Sequence, residues 1–328
     1  MSGPGFHIDL AGTRRERYSR PGALPSVEPA TIGEDLLRRD FSINAIALRL
    51  TPPAGEVIDP TGGLADLEAR LVGVLHERSF QDDATRMLRA CRYAARLAFN
   101  LNATTEGWLR RDLAYLATIS GPRLRRELCL LFEADAAVAG TLLADRLGVL
   151  AAVQPKLGLN AATASRWQAA LQGKRYGRLA ELGFCLTARC GSQAGVDVLS
   201  ARLHLSGRIE RALSELLALR AESAKLAASS RLQAVELLER RAPAAVWALS
   251  ILDDGAPGEV CRRFLEAWRH VRTALDGYDL LALGIAPGAP VGEALRELRR
   301  EMLEGRLASR EDEVDFVRRL IAAGKGQQ

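Results

Sequence analysis

Asp35-Leu36-Leu37-Arg38-Arg39-Asp40-Phe41-Ser42-Ile43-Asn44-Ala45-Ile46-Ala47-Leu48 sets two arginines, an aspartate and an asparagine within one or two helical turns, beside a strongly apolar face. Guanidinium groups suit phosphate oxygens, and a carboxylate with an amide suits ribose hydroxyls. A helix with a salt-bridged outer face is the ordinary source of such an Arg-Arg-Asp string. Just upstream, Thr31-Ile32-Gly33-Glu34 has the pattern of a capping box. Leu36, Leu37, Ile43, Ile46 and Ala47 then follow at helical intervals, which predicts a helix running on from Thr31.

Working outward, Phe6-His7-Ile8-Asp9-Leu10 reads as a strand, and Pro21-Gly22-Ala23-Leu24-Pro25 breaks any regular element. Downstream, the short strand Glu56-Val57-Ile58 leads into Asp59-Pro60-Thr61-Gly62-Gly63, where paired glycines suit a turn or a hinge. Beyond Leu64 no strand pattern appears. The chain is Leu- and Ala-rich with a 3.6-residue period broken by Gly and Pro, so a succession of helices is expected. Gly284 to Pro290 reads as a loop, followed by an amphipathic helix over Val291 to Glu304 and a last helix over Arg310 to Ala323.

A second polar string, Asp82-Asp83-Ala84-Thr85-Arg86-Met87-Leu88-Arg89-Ala90-Cys91-Arg92-Tyr93-Ala94-Ala95-Arg96, yields to geometry. At about 100° per residue, Arg89, Arg92 and Arg96 share one side of a helix, with Arg86 and Asp83 along the adjoining edge. Met87, Leu88, Cys91 and Ala94 take the opposite, core-facing side. A solvated basic face is the common meaning of such a stripe. An acid one turn ahead of an arginine also offers an acceptor and a fork of donors, a pair able to read the edge of a base.

The whole chain is 328 residues, 48% hydrophobic, which is long enough for more than one core. Its net charge of +5 is compatible with a polyanionic partner. Aromatic residues make up only 5%, which argues against RNA binding by serial base stacking and leaves phosphate backbone and shape as the expected handles. The five cysteines form no CxxC pair and the four histidines are isolated, so zinc and di-iron sites are not expected. No apolar run approaches the roughly 20 residues of a membrane span, no signal pattern opens the sequence, and the expected location is the cytoplasm. Walker A, GxSxG and kinase signatures are absent.

Three motifs in order carry a family resemblance. Arg38 to Ala47 resembles the RRDFTINAMA motif of class II tRNA nucleotidyltransferases and bacterial poly(A) polymerases, with Ser42 for Thr and Ile46 for Met. Asp59 to Leu67 resembles that family's DPFGGLxDL motif at the junction of head and neck. Asp82 to Tyr93 resembles EDxxRxxRxxRF, with Asp82 for Glu and Tyr93 for Phe. Arg123 to Leu128 is similar to the RIxxEL segment of the neck, Asp145 to Leu150 to an LGxL stretch, and Gly284 to Gly292 to a PGPxIG segment of the tRNA-holding tail.

The resemblance implies a mostly α chain: a truncated α+β nucleotidyltransferase head over residues 1–65, a helical neck over 66–135 that selects nucleotides, and a helical body and tail over 136–328 that bind tRNA. It assigns Arg39, Asp40 and Asn44 to the ribose and phosphates of the incoming nucleotide. Asp83 and Arg86 would pair with the Watson–Crick edge of CTP or ATP, and Arg89 and Arg92 would contact the nucleotide. The implied reaction is template-independent addition of CCA or A to tRNA 3′ ends, with Mg²⁺ as cofactor, tRNA or another RNA 3′ end as partner, and neither DNA nor membrane. Poly(A) polymerase activity and a non-catalytic RNA- or nucleotide-binding remnant are the alternatives. The family's metal-holding Asp-x-Asp pair should precede the strand at Phe6 to Leu10 and does not occur there, so the head is expected to lack its first strands and expose a sheet edge. Asp9, in a stretch resembling IDxxTxRxExY (Ile8 to Tyr18), stands where the family often has a further strand carboxylate.

Overall fold

Thr31 starts the first helix as its sequence predicts. In the computed structural model, which describes residues 2–3, 6–7, 10–172 and 177–323, the Thr31 N–H donates to the Glu34 carboxylate at 2.9 Å and the Glu34 N–H donates back to the Thr31 hydroxyl. The helix, α1 (Ile32–Leu37), then ends after six residues. Phe41 is extended and fully buried, bridging to Val74, and is followed by a 3-10 turn over Ser42–Asn44 and a strand at Ala47–Leu48. The helix expected to continue to Ala47 is thus corrected. Burying the Phe41 ring edge-on against Tyr93, with centroids 5.6 Å apart, pulls the chain out of helical register; packing overrides propensity.

Strands among the described residues form four two-stranded sheets. β1 (Ser2–Gly3) pairs with β2 (Phe6–His7), β3 (Arg14–Arg17) with β4 (Ser26–Pro29), and β5 (Ala47–Leu48) with β6 (Val57–Ile58), all antiparallel. In the second sheet Arg15 stands opposite Glu28, its guanidinium 2.8 Å from the carboxylate, a cross-strand charge pair. β7 (Leu71–Val72) and β8 (Asn100–Leu101) are parallel, and correct the expectation of no strand beyond Leu64. Two-residue strands are too short to leave a period-2 signature.

The remaining elements are helical. Before the middle of the chain come α2 (Gly63–Ala69), α3 (Ser79–Asp82), α4 (Thr85–Leu97), α5 (Ala103–Asp112), α6 (Gly121–Phe132) and α7 (Ala137–Arg146). They are followed by α8 (Val149–Val153), α9 (Ala161–Leu171), α10 (Leu179–Thr187), α11 (Gln193–Leu203), α12 (Gly207–Ala221) and α13 (Ser223–Ala227). The last are α14 (Arg231–Leu238), α15 (Pro243–Leu252), α16 (Ala256–Glu266), α17 (Gly277–Leu283), α18 (Ala289–Leu303) and α19 (Arg310–Ala322). The chain is mostly α, with its described strands confined to the first 101 residues. No described helix is long and apolar enough to cross a membrane.

Two units divide the chain, Met1–Leu213 and Ser214–Gln328, a coarser partition than the expected limits at 65 and 135. In the first, the apolar side of α4 is buried as its periodicity requires, through Met87, Leu88, Cys91 and Ala94. It packs on α6 and α7, and Gly140 lets α7 approach closely: a Cβ there would meet Leu131 Cδ1 at 2.8 Å. Phe132 closes α6 with edge contacts to Trp167 and Phe184, and burying each such ring contributes about 2 kcal/mol. In the second unit, α17, α18 and α19 pack around Leu280, Ile285, Leu298 and Val317. Buried Glu313 of α19 accepts the N–H groups of Ala274 and Leu275 at 2.9 Å each, tying the loop before α17 to the last helix. All five cysteines are free thiols, and burial pushes Cys91 up to about 12.

Candidate nucleotide site

Asp40 in the turn after α1 and Arg89 in α4 are 49 residues apart and meet in space. Because α1 stops at Leu37, Arg38 to Asn44 form a short wrapped segment in which Phe41 and Ser42 are buried while Arg38, Arg39, Asp40 and Asn44 stay at least partly open. Asp35, 3% exposed, collects them from below: it accepts from Arg38 Nη2 at 2.6 Å, Arg39 Nη2 at 3.0 Å and the Arg14 N–H at 3.1 Å. Burial opposes its charge, yet the hydrogen bonds from Arg38, the Arg14 N–H and Arg39 outweigh it and hold the carboxyl below its ordinary 3.8. Arg38 also reaches Glu16 at 2.8 Å, and that glutamate accepts the hydroxyl of Tyr18, whose pKa burial pushes up to about 12.

This carries a pH dependence. A carboxyl whose folded pKa is depressed stabilises the fold fully above its unfolded value, and the contribution is lost as pH falls through the folded value. Asp35→Asn is therefore expected to be less stable than the parent near pH 7, with the gap closing below about pH 4. Urea unfolding midpoints across that range check it; a gap that does not change with pH would remove the role given to the carboxylate.

Asp40 joins the two motifs. It accepts Nε and Nη2 of Arg89 at 2.9 and 2.5 Å, and on its other oxygen the Asn44 amide and its neighbour's N–H, both at 3.0 Å. Burial alone would lower the pKa of Arg89, but Asp40 and Glu127 raise it. Glu127 of α6 pairs with Arg92 at 3.2 Å, and Arg89, Arg92 and Arg96 all stand over the Tyr93 ring, Arg96 closest at 4.7 Å from the centroid. The stripe expected to face away from the core is thus partly covered by α6; only Arg96 is exposed.

Asp83 sits in the break between α3 and α4, where one carboxylate oxygen accepts both the N–H and the hydroxyl of Thr85 and the other pairs with Arg123 at 2.9 Å. Arg86, 6% exposed, donates to the main-chain carbonyls of Arg38 at 3.0 Å and Ser79 at 3.5 Å. Its charge therefore lies beneath both motifs and also pins one to the other. Arg39 is the most open of the assigned arginines, its side chain 43% exposed.

The Asp59 to Gly63 turn supports the site from behind. Asp59 accepts the N–H groups of Leu64 and Gly63 at 2.9 and 2.8 Å, which hold its pKa down and start α2. Gly62 takes φ +74°, and Gly63 lies against the main chain of Ser42. The Ser42 hydroxyl donates to Asp66, locking α2 to the 3-10 turn.

All seven residues assigned by resemblance, Arg39, Asp40, Asn44, Asp83, Arg86, Arg89 and Arg92, therefore lie in or beside this network, while Asp9 lies outside the described residues. Asp35, Arg123 and Glu127 belong to it as well, and the sequence reading assigned none of them to the site. The signal for the last two was an arginine and a glutamate one turn apart on a helix that is otherwise apolar along its buried face. A divalent cation fits poorly. Mg²⁺ requires near-octahedral oxygen ligands, no group of three or more His, Cys, Asp or Glu among the described residues is placed to hold a metal, and the carboxylates here already serve arginines.

Comparison with known proteins agrees with this layout. Residues 3–73 match the poly(A) polymerase head domain family. The CC-adding tRNA nucleotidyltransferase of Deinococcus radiodurans is 32% identical over 327 residues, covering 97% of this chain and 74% of that protein. The A-adding tRNA nucleotidyltransferase of Geobacter sulfurreducens is 39% identical over 158 residues, and the match spans 47% of this chain but only 18% of that longer protein. Among solved structures, the Thermotoga maritima CCA-adding enzyme complexed with tRNA shares the fold, with a TM-score of 0.67 at 23% identity over 96% of this chain and 82% of that one. With a relative 32% identical along 97% of this chain and 74% of its own length, and with both polar motifs meeting at Asp40 and Arg89, the chain belongs to the tRNA nucleotidyltransferase/poly(A) polymerase family.

Proposed function

We propose that this chain performs the nucleotide-selecting and RNA-holding work of a template-independent nucleotidyltransferase that adds CCA, or A, to tRNA 3′ ends from CTP and ATP in the cytoplasm. The observation that carries the reading is the Asp40–Arg89 fork, which, together with Arg86 donating to the Arg38 carbonyl, ties the segment bearing Arg39, Asp40 and Asn44 to α4. Asp83 keeps acceptor capacity beyond its three donors, since a carboxylate offers about four lone-pair sites. A carboxylate acceptor and a guanidinium donor within one helical turn of sequence are the groups needed to read a base edge. In this reading residues 1–65 and 66–135 supply the nucleotide site, and 136–328 hold tRNA mainly through phosphates. Mg²⁺ is the metal this chemistry would use, and the described carboxylates offer it no site.

The test is competition among nucleotides. Labelled CTP bound to the chain is expected to be displaced by ATP and CTP at least about tenfold better than by GTP or UTP. Binding of a tRNA lacking its 3′ terminus is expected to weaken steeply with salt. Equal displacement by all four nucleotides removes the base-reading role. Extension by runs of A on RNA without a tRNA fold would favour the poly(A) reading, which the head-domain match supports. Binding without extension would favour the non-catalytic one.

A further inference from the structure

Arg123 stands where its own helix gives it no support. It lies in the first turn of α6, where the partial positive charge of the helix N-terminus favours an acid over a guanidinium. Two acceptors outside the helix hold it there. Nη2 is 2.9 Å from Asp83 Oδ2, and Nη1 donates to the Gly22 carbonyl at 3.1 Å. Gly22, in the turn between β3 and β4, is closely packed in its turn: it takes φ +75°, and a Cβ there would fall 2.5 Å from the Thr118 hydroxyl and 2.8 Å from the Thr118 carbonyl oxygen. The guanidinium thus spans a tightly packed backbone and a carboxylate that would otherwise be able to turn.

Asp83 is held at two points. Oδ1 accepts both the N–H and the hydroxyl of Thr85, at 3.0 and 2.7 Å, which fills its two lone-pair sites. The acceptor capacity left to Asp83 is therefore the second site on Oδ2, and the direction of that site is set by Arg123. Direction matters for base choice, because C and A carry an amino donor where U and G carry a carbonyl oxygen.

We infer that Arg123 is a positioning residue for base selection, aiming the open acceptor site of Asp83 at the exocyclic amino group of C or A. The inference rests on the base-reading role proposed above for Asp83 and adds a residue of α6 to it. Arg123 acts through Asp83 and needs no contact with the nucleotide. A plain tie between α6 and the β3–β4 turn would hold the fold with no bearing on which base is preferred.

The experiment measures Kd for CTP, UTP, ATP and GTP on the parent, Arg123→Ala, Asp83→Ala and the double variant. In Arg123→Ala the CTP-over-UTP and ATP-over-GTP preferences are each expected to fall at least about fivefold. The double variant is expected to match Asp83→Ala in both ratios within about twofold, since a residue that acts through Asp83 has nothing left to aim once Asp83 is gone. Arg123→Gln, which keeps a side-chain amide donor, is read by the same criterion if the alanine variant fails to fold. Unchanged ratios, or equal weakening of all four triphosphates, overturn the inference and leave Arg123 a structural tie. Losses that add in the double variant also overturn it, because Arg123 would then act apart from Asp83. A parent chain that binds all four alike removes the base-reading role itself.

Discussion

Replacing Arg89 with alanine is expected to lower stability by about 2 to 3 kcal/mol and nucleotide affinity at least about tenfold. The guanidinium spends two N–H groups on one oxygen of Asp40 and stands 3.9 Å from Glu127. Without it, Asp40, whose side chain is 11% exposed, keeps only the Asn44 amide and the Phe41 N–H, and a largely buried carboxylate is left without a counter-charge. Asp40 is then free to swing toward solvent and to carry Asn44 with it. Lysine should restore charge but not the fork, since one ammonium cannot reproduce the pair of parallel donors, so Arg89→Lys is expected to recover less than half of either loss. Urea unfolding and CTP titration on the same samples measure both effects. A cycle with Asp40→Ala should give a coupling above about 0.5 kcal/mol. Independent, additive losses would mean that the two motifs are neighbours without being partners.

The second large effect lies behind the site. A Cβ at Gly63 would fall 2.2 Å from the Ser42 carbonyl oxygen and 2.8 Å from Ile46 Cγ1. The first of these is backbone and cannot rotate aside, so Gly63→Ala has to push α2 away from the 3-10 turn, at a cost of about 3 kcal/mol. Gly62→Ala serves as the contrast. It meets open space and is penalised only for its φ of +74°, at about 1 kcal/mol. The expected order of unfolding midpoints is therefore parent, Gly62→Ala, Gly63→Ala. Since Ser42 hydrogen-bonds Asp66 across the same contact, nucleotide binding should fall with the second substitution and hold with the first. Equal midpoints for the two variants would show that the turn matters only for its backbone angle.

How much of this was readable beforehand differs from element to element. The Thr31 cap, the apolar side of α4 and the last two helices were open to reading because each depends on residues three or four apart. The end of α1 was not, because the residue that ends it, Phe41, does so by packing on Tyr93. The parallel pairing of Leu71–Val72 with Asn100–Leu101 was likewise invisible, being a contact between two very short segments far apart in sequence.

The amino-acid sequence by itself determined the family, the mostly helical class and the residue types of the proposed nucleotide site, because motif spacing is a local property of the chain. Only the tertiary structure decided which arginine serves which carboxylate. Arg86 donates to a carbonyl 48 residues away, Arg89 to an aspartate 49 away and Arg92 to a glutamate 35 away, and Asp83 is claimed by Arg123. Those choices follow from which groups are withdrawn from water together. Desolvation is a property of the packed helices, and a list of charges along one helix does not contain it.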